Sequence, residues 1–286
     1  MTRSGKLMIP LPMICSRLQR GERLVWAALA VAVFFPLSLE AQENMQPLQL
    51  TAGSAMAVRL DQRIVTYSKN IDEKRPVAST QKLLTALLIA EAGGLEERVA
   101  VKRTDGQVPP RNLWITEGSS YKRGTLLEMM LMRSFNDVTK CLARDHAGSQ
   151  EKFTKLMNQR AVELGMENSS FQNAHGLTAE GQFSTASDMM KLAVAAYDHP
   201  EIRRLVRIKE STFTYQGAKT IPVENSNELL FRYSPCVGMK TGYTEAAGRC
   251  LVAAAEENGK TVIAVILGST MEEVWNDAEK LIRFSL

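Results

Sequence analysis

The segment at residues 78–92, ASTQKLLTALLIAEA, constrains the fold more than any other part of the chain. Its middle is apolar on nearly every face, so a helix formed by it must be surrounded by protein rather than lie at a surface. Pro76 precedes the segment and Gly93 and Gly94 follow it, as is typical of the two ends of a helix. The sequence therefore predicts a central, buried helix that other elements must enclose.

Strand patterns occur on both sides of this helix. Residues 51–68 predict two short strands joined by a turn at Asp61 and Gln62. Three further strand patterns occur late in the chain, at residues 236–242, 249–256 and 261–268. Because sequential strands joined by short turns usually pair antiparallel, we expect the N-terminal hairpin and the three late strands to form one antiparallel sheet.

After a short strand predicted at RVAV, residues 98–101, the middle of the chain is predicted to be helical. Helical patterns cover residues 125–133, 136–147 and 150–164, and an amphipathic helix is predicted over residues 271–284. The simplest arrangement is an α/β fold in which the middle helices form a lobe inserted between the two parts of the sheet. The final helix would cover the opposite face, and a cleft would follow the junction of lobe and sheet. No repeat or linker divides residues 42–286, so we expect a single domain.

Residues 1–41 have the layout of a secretory signal. A basic segment ends at Arg23, an apolar stretch covers residues 24–39, and the small residue Ala41 precedes a polar sequence. The apolar stretch is interrupted by Pro36 and is shorter than the roughly 20 residues that usually cross a membrane, which favours cleavage over a permanent anchor. An uncleaved N-terminal anchor stays the alternative. Either way, we expect an exported protein of the periplasm or cell envelope.

The charge balance gives no support for binding nucleic acid. The chain has 35 basic and 31 acidic side chains, but five of the basic and two of the acidic ones lie in residues 1–41. The rest of the chain therefore carries 30 basic against 29 acidic residues. Nucleic-acid binding needs a strongly basic surface that displaces counterions, so we expect no such partner.

The cysteines and histidines favour neither a disulfide framework nor a metal site. Beyond the leader the cysteines are Cys141, Cys236 and Cys250, which is an odd number. If the late strands pair Lys240 with Cys250, Cys236 lies about 13 Å along its strand from that pair, too far for a disulfide. We therefore expect three buried free thiols. With three histidines and no CxxC or HExxH pattern, a metal or other cofactor has no support.

A Ser-x-x-Lys pattern at the head of the central helix is the first candidate for chemistry. The pattern occurs three times, at Ser79/Lys82, Ser119/Lys122 and Ser149/Lys152. Chance alone accounts for roughly one match in a chain of this composition, so the context must decide. Ser149 follows Gly148 at a helix start, where a serine most simply caps free backbone N–H groups, and Ser119 lies in a polar segment. Taken alone, Ser79 could also be a cap.

Two later motifs favour a catalytic role for the first pair. Ser134-Phe135-Asn136 lies between two predicted helices, and Lys240-Thr241-Gly242 lies on the predicted strand that faces the helical lobe. A Lys-Thr-Gly sequence is expected by chance only about 0.06 times in this chain, so it carries most of the weight. The three motifs in this order are the signature of penicillin-binding proteins and class A β-lactamases.

On these motifs the chain resembles the serine-type D-Ala-D-Ala carboxypeptidases, which are low-molecular-mass penicillin-binding proteins. The likeness covers about residues 50–286. It includes NAHGL at 173–177, STASDM at 184–189 and GMKTGYTEAAGRCLVAAAEENGKTVIAVILG at 238–268. Two departures occur: the active-site segment reads STQK rather than the commoner SLTK, and the chain ends where many relatives continue into a β-rich C-terminal domain.

The resemblance implies a β-lactamase/transpeptidase-like fold and an acyl-serine DD-carboxypeptidase. Such an enzyme removes the terminal D-alanine from peptidoglycan stem peptides, needs no cofactor, and is covalently inhibited by penicillin and other β-lactams. A possible uncleaved leader would be the chain's contact with a membrane.

Elementary chemistry explains why a serine and a lysine are paired in this way. A serine hydroxyl is a poor nucleophile until a nearby base takes its proton. Residues three apart on a helix share a face, so Lys82 can reach the oxygen of Ser79. The positive end of the helix and the second cation Lys240 both disfavour the ammonium form of Lys82. Lys82 can then be neutral and act as the base.

The resemblance assigns roles to the remaining residues. Ser134 would relay a proton to the leaving amine, and Asn136 would hold the substrate's amide while it bonds Lys82. The terminal carboxylate of the substrate would be bound by Lys240 and Thr241. Gly242 would let the strand approach closely, and the backbone N–H groups of Ser79 and Tyr243 would form the oxyanion hole.

Three alternatives to a carboxypeptidase stay open. A DD-endopeptidase that cuts cross-links is favoured somewhat by the missing C-terminal domain. A class A β-lactamase deacylates with the glutamate of an E-x-x-x-N element, but this spacing occurs only at Glu40/Asn44 and Glu272/Asn276, outside the required interval. A non-catalytic β-lactam-binding or cell-wall-binding domain shares the motifs. A catalytic His175 has little support, because no G-x-S-x-G elbow is present.

Overall fold

A computed structural model describes residues 48–217 and 219–286 of the chain. Residues 1–41, interpreted above as a signal or anchor, lie outside the described residues. Within the described ranges, no helix combines the length and the apolar character that crossing a membrane requires. That residues 42–286 act as a single catalytic domain stays a prediction.

The main sheet has five antiparallel strands in the order β2-β1-β9-β8-β7. Its strands are β1 (Ser54–Arg59), β2 (Ile64–Lys69), β7 (Cys236–Thr244), β8 (Gly248–Glu257) and β9 (Lys260–Ser269). The N-terminal hairpin thus joins the three late strands through the pairing of β1 with β9. The predicted sheet is confirmed, and β7 forms one of its edges.

Among the described residues, seven α-helices and two small strand pairs lie between β2 and β7, and one α-helix follows β9. The helices are α1 (Lys82–Ala92), α2 (Arg123–Arg133), α3 (Asn136–Ala147), α4 (Gln150–Glu163), α5 (Ala186–Asp198), α6 (Pro200–Leu205), α7 (Leu229–Arg232) and α8 (Val274–Ser285). The small pairs join β3 (Arg98–Ala100) to β4 (Ser120–Lys122) and β5 (Glu210–Thr214) to β6 (Thr220–Glu224). The inserted helical lobe is therefore confirmed, and the short strand predicted at residues 98–101 is present as β3. The strands β4, β5 and β6 were not predicted from the sequence.

The sheet separates two hydrophobic cores because successive side chains of a strand point to opposite faces. On β8, Val252 and Ala254 belong to the core that contains α1 to α6. Their neighbours Leu251 and Ala253 belong to the core under α8. The predicted layers, with the middle helices on one face and the final helix on the other, are confirmed.

The central helix is buried along most of its length, as its apolar pattern predicts. Side chains from Lys82 to Leu87 are all buried, and the helix packs against α2, α3, α4, α5 and α6. The predicted single helix over residues 78–92 is divided, however. Residues Ala78–Gln81 form a 3₁₀ turn, and the α-helix begins at Lys82. The tighter turn places Ser79 just ahead of the α-helix.

The late hairpin has a register two residues away from the one assumed for the cysteines. Cys250 pairs with Gly242 rather than Lys240, because the hairpin turn is centred on Ala246 and β7 continues to Thr244. Cys236 is then even farther from Cys250 along the sheet. All three described cysteines are free and buried, as predicted.

Candidate active site

The Ser79 hydroxyl and the Lys82 amine are in direct contact. Lys82 Nζ lies 2.9 Å from Ser79 Oγ. The amine also donates to Oδ1 of Asn136 at 2.8 Å and to the backbone carbonyl of His175 at 2.6 Å. Ser79 is half-buried, whereas Lys82 is fully buried. The pair therefore joins a nucleophile that substrate can reach to a base that solvent cannot.

The surroundings of Lys82 favour its neutral form. Burial lowers the pKa of its amine well below the usual value, and the positive charges of Lys240 and Arg111 lower it further. A neutral amine has two hydrogens and one lone pair. Asn136 Oδ1 and the His175 carbonyl can only accept, so they take the two hydrogens and leave the lone pair for the hydroxyl of Ser79. This arrangement suits general-base chemistry.

Ser134 and Asn136 lie at the junction of α2 and α3. Ser134 ends α2 in the left-handed conformation, with φ 67°. Its Oγ is buried and has no hydrogen-bond partner within residues 48–217 and 219–286. A buried hydroxyl without a partner is costly unless a ligand supplies one. Ser134 is thus placed to bond a group that enters the site.

The orientation of the Asn136 amide is set by the loop that precedes α2. Its Nδ2 donates to the carbonyl oxygens of Pro109 at 3.1 Å and Pro110 at 2.6 Å. Because both carbonyls only accept, the amide nitrogen must face them and the amide oxygen must face Lys82. The loop therefore fixes one of the groups that hold the base.

Strand β7 brings the third motif to the same place. Lys240 is buried, and its Nζ donates to the carbonyl of Thr241 at 3.1 Å. Burial, followed by the charge of Arg111, lowers the pKa of Lys240 to about 7. Thr241 Oγ1 lies 2.8 Å from Ser226 Oγ, which holds its hydroxyl in position. Tyr243 is half exposed at the edge of the site.

Two glycines from different parts of the chain lie against the backbone at Ala78 and Ser79. A Cβ on Gly242 of β7 would lie 2.9 Å from the amide nitrogen of Ser79. A Cβ on Gly176, which has φ 86°, would lie 2.2 Å from the carbonyl oxygen of Ala78. Only glycine permits these approaches. The close approach predicted for Gly242 is present, and Gly176 provides a second one.

The imidazole of His175 has a structural role. Its Nδ1 accepts the backbone N–H of Leu177 at 3.3 Å. Burial, assisted by the charges of Lys82 and Lys140, lowers the pKa of His175 to about 3, so the ring is neutral at ordinary pH. The group of His175 that bonds Lys82 is the backbone carbonyl, which no sequence motif would reveal.

The motif residues line a cavity of about 120 Å³. Its walls include Ser79, Ser134, Asn136, Thr241, Gly242 and Tyr243. Lys82 and Lys240 lie buried behind these residues, so all eight predicted site residues meet in one place. The walls also include Arg111 and Arg249, which the sequence analysis did not single out, and no carboxylate of the described residues lines them. Arg249 lies within residues 238–268, one of the segments that carry the family resemblance, whereas Arg111 lies in no such segment.

The two other Ser-x-x-Lys pairs are structural, as expected. Ser149 caps α4, since its Oγ accepts the backbone N–H of Lys152 at 3.2 Å. Ser119 donates to the carbonyl of Thr116 at 2.5 Å within a turn. Neither serine contacts the side-chain amine of its lysine. In the described part of the chain, no group of three or more metal-ligating side chains occurs.

The chain is similar to a well-defined family of proteins. Residues 40–271 match the family model described as D-alanyl-D-alanine carboxypeptidase, peptidase family S11. The Bacillus subtilis (strain 168) D-alanyl-D-alanine carboxypeptidase DacF is 31% identical over 265 residues, which span 90% of this chain and 68% of that protein. The Escherichia coli (strain K12) D-alanyl-D-alanine endopeptidase is 35% identical over 225 residues, which span 77% of this chain and 72% of that protein.

Solved structures give the same result. The crystal structure of the Streptomyces K15 DD-transpeptidase superposes with a TM-score of 0.79 at 26% identity. The superposition covers 84% of this chain and 98% of that one. The expected transpeptidase-like fold is confirmed.

Proposed function

The chain belongs to the D-alanyl-D-alanine carboxypeptidase family, peptidase family S11, and we propose that it removes the terminal D-alanine of peptidoglycan stem peptides through an ester on Ser79. It is a serine-type D-Ala-D-Ala carboxypeptidase with a penicillin-binding fold. The observation that carries the assignment of Ser79 is the 2.9 Å contact between its hydroxyl and the buried amine of Lys82.

Acylation begins when neutral Lys82 takes the proton of the Ser79 hydroxyl. The Ser79 oxygen attacks the carbonyl carbon of the penultimate D-alanine, and the developing oxyanion accepts hydrogen bonds from the backbone N–H groups of Ser79 and Tyr243. The proton passes from Lys82 through the hydroxyl of Ser134 to the leaving nitrogen. The C–N bond breaks, free D-alanine departs, and the ester remains on Ser79.

The substrate is held by the groups around this reaction. Lys240 and Thr241 bind the terminal carboxylate, whose negative charge favours the ammonium form of Lys240. Both hydrogens of the Asn136 Nδ2 already bond carbonyl groups of the loop. The substrate's amide N–H therefore donates to the other end of the side chain, Oδ1, beside Lys82. The unpartnered Ser134 hydroxyl gains its missing bond from the leaving nitrogen.

Deacylation needs a water molecule in the space that the leaving D-alanine vacates. Lys82, neutral again, accepts a proton from this water while its oxygen attacks the ester carbonyl carbon, and the peptide leaves with Ser79 restored. An opened β-lactam keeps its leaving group tethered over the ester, so water is excluded. Because no carboxylate within residues 48–217 and 219–286 lines the cavity, we expect the β-lactam ester to persist, unlike that of a class A β-lactamase.

Product analysis tests the proposal directly. Purified protein incubated with a stem pentapeptide should release one equivalent of D-alanine, and penicillin should label Ser79 in a peptide map. Recovery of activity within seconds after penicillin treatment would favour a β-lactamase instead. Absence of any turnover would favour a non-catalytic binding domain.

A DD-endopeptidase is the second candidate, because one endopeptidase is 35% identical over 77% of this chain. Conversion of a cross-linked muropeptide dimer to monomers, measured beside D-alanine release, separates the two activities. We also propose export to the cell envelope, where peptidoglycan lies. N-terminal sequencing of the mature protein would show whether it begins near residue 42.

A further inference from the structure

Arg111, at the mouth of the catalytic cavity, has no ion-pair partner among the described residues. Its side chain is exposed and lines the cavity together with Ser79 and Asn136. Within residues 48–217 and 219–286 the guanidinium makes neither an ion pair nor a side-chain hydrogen bond. Other arginines of the lobe are paired: Arg123 with Asp145 at 3.0 Å, for example. A guanidinium with all five donors unused at a catalytic site is available to an anion.

Further positive charges surround this arginine. Although the residue is exposed overall, partial burial at the cavity wall lowers the pKa of Arg111, and the charges of Arg133 and Arg249 lower it further. Neither neighbour has an ion pair with a described carboxylate, and Arg249 lies over the Tyr243 ring at 5.4 Å from its centroid. Like charges held together in this way repel one another, and a bound anion would relieve the repulsion.

The backbone holds Arg111 at this position against its own preference. The residue has φ 63°, a left-handed conformation that is unfavourable for a long side chain. Its carbonyl accepts the backbone N–H of Asn136 at 2.8 Å. Two residues later, the N–H of Leu113 donates to the buried carboxylate of Asp137 at 2.9 Å. Asn136 Nδ2 also bonds the carbonyls of Pro109 and Pro110, so the loop is fastened on both sides of Arg111 to the start of α3.

We propose that Arg111, supported by Arg133, binds a second carboxylate of the substrate, so that the enzyme prefers peptides with an acidic group near the scissile bond. The inference rests on the proposed function, in which Lys240 and Thr241 bind the first carboxylate, at the chain end. A guanidinium binds a carboxylate through two parallel hydrogen bonds, which gives direction as well as attraction.

Two parts of a stem peptide can supply this second carboxylate. One is the side chain of the residue before the D-Ala-D-Ala pair, where that residue is a diamino acid with its own carboxylate. The other is the leaving residue, where a cross-link replaces terminal D-alanine by a larger acidic group. The first source makes Arg111 selective among uncross-linked stems, and the second makes it selective for the endopeptidase substrate.

Two pairs of synthetic N-acetylated peptides distinguish the sources. In the first pair the third residue from the C-terminus is diaminopimelate or the same residue with its side-chain carboxylate amidated. In the second pair the leaving residue is D-glutamate or D-glutamine. We expect one pair to show about a tenfold higher kcat/KM for the acidic member, as suits one charge-assisted contact. The ratio should fall as ionic strength rises.

The variant Arg111→Gln should reduce that ratio to about one, and Arg111→Lys should retain part of it. Arg133→Gln should reduce it less. Arg103→Gln removes an equally exposed charge elsewhere and should leave the ratio unchanged. The ratio is the readout because the charge of Arg111 also acts on Lys82 and Lys240, so absolute rates will change. Penicillin labelling of each variant confirms that it is folded.

Equal rates within both pairs would overturn the inference while leaving the proposed function intact. The same holds if Arg111→Gln slows both members of a pair equally and preserves their ratio. If no peptide of the set is hydrolysed by the wild-type protein, the proposed function itself fails.

Discussion

Two regions of the molecule carry the same four-residue pattern and use it in opposite ways. Ser79 and Lys82 stand at the start of α1, and Ser149 and Lys152 stand at the start of α4. The Ser149 hydroxyl caps its helix by accepting a backbone N–H, and Lys152 is exposed. The Ser79 hydroxyl instead meets the side-chain amine of a fully buried lysine.

The difference lies in what the rest of the chain brings to each pattern. Around Lys82 the fold adds the Asn136 oxygen and the His175 carbonyl, and it adds the charges of Lys240 and Arg111. Lys152 is exposed, and within the described ranges its amine has no hydrogen-bond or ion-pair partner. Local sequence therefore provides the pair, and burial together with distant partners turns it into a nucleophile and a base.

The largest expected contrast is between the two serines. Ser79→Ala should abolish acylation by penicillin and reduce D-alanine release by roughly 10⁴-fold or more, because the attacking oxygen is removed. Ser149→Ala should leave both activities intact and lower the free energy of unfolding by about 1 kcal/mol, the usual effect of losing a helix cap. Penicillin labelling and urea unfolding measure the two effects. Labelling of Ser79→Ala at Ser149 or Ser119 would contradict the assignment.

The two lysines should differ next most strongly. Lys82→Arg places a guanidinium at this position that stays charged and cannot accept the serine proton, so acylation should slow by roughly 10³-fold. Lys152→Arg is the matched control and should acylate at the wild-type rate. Stopped-flow acylation with a chromogenic β-lactam measures both. A Lys82→Arg variant with nearly full activity would exclude Lys82 as the base.

Burial of a lysine should also appear in the pH dependence of stability. The pKa of Lys240 is about 7 in the folded protein and about 10.4 in an unfolded chain, so between these values the unfolded state binds more protons. The contribution of Lys240 to the free energy of unfolding therefore rises with pH across this window, by up to about 1.4 kcal/mol per pH unit.

The test compares wild type with Lys240→Met by urea unfolding at pH 7, 8 and 9. The stability of the variant minus that of wild type should shrink as pH rises, because only wild type gains from losing its buried charge. Lys152→Met, at the exposed lysine, should show a constant difference. A constant difference for Lys240→Met would mean that the buried lysine titrates normally.

The smallest expected effect concerns the His175 ring. Because the pKa of His175 is about 3, the ring is neutral throughout the working range, and the bond to Lys82 comes from its backbone. His175→Gln should therefore change kcat/KM by about twofold or less and leave the pH profile of acylation unmoved. Loss of a titration step between pH 5 and 8 in the variant would restore the catalytic histidine as a hypothesis.

Much of the fold follows from local pattern. The strand patterns of the N-terminal hairpin and the short apolar runs of the late strands predicted the five-stranded sheet, and the uniformly apolar segment after Lys82 predicted the central helix. Periodicity failed where elements are short. Of the two small pairs only β3 was predicted, at residues 98–101. The strands β4, β5 and β6 are brief and partly exposed, so their residues show little of the pattern that burial imposes.

The site was predictable in composition but not in geometry. Side-chain motifs identified the eight residues that meet at the cavity, because their chemistry demands particular residue types. Groups that act through backbone atoms leave no such mark, so the His175 carbonyl was missed. Arg111 was missed for another reason: it becomes a cavity residue only because Asn136 and Asp137 fasten its loop.

The two glycines beside Ser79 have a consequence for how the active molecule is made. Gly176 comes from the loop before α5 and Gly242 from the edge strand, so the nucleophile is seated only after more than half of the chain has closed around it. Closing such long loops costs chain entropy, so we expect it to occur late in folding, after local helices have formed. Reactivity toward penicillin should therefore appear with the last step of refolding. The fraction of molecules that penicillin labels then measures the fraction that is native.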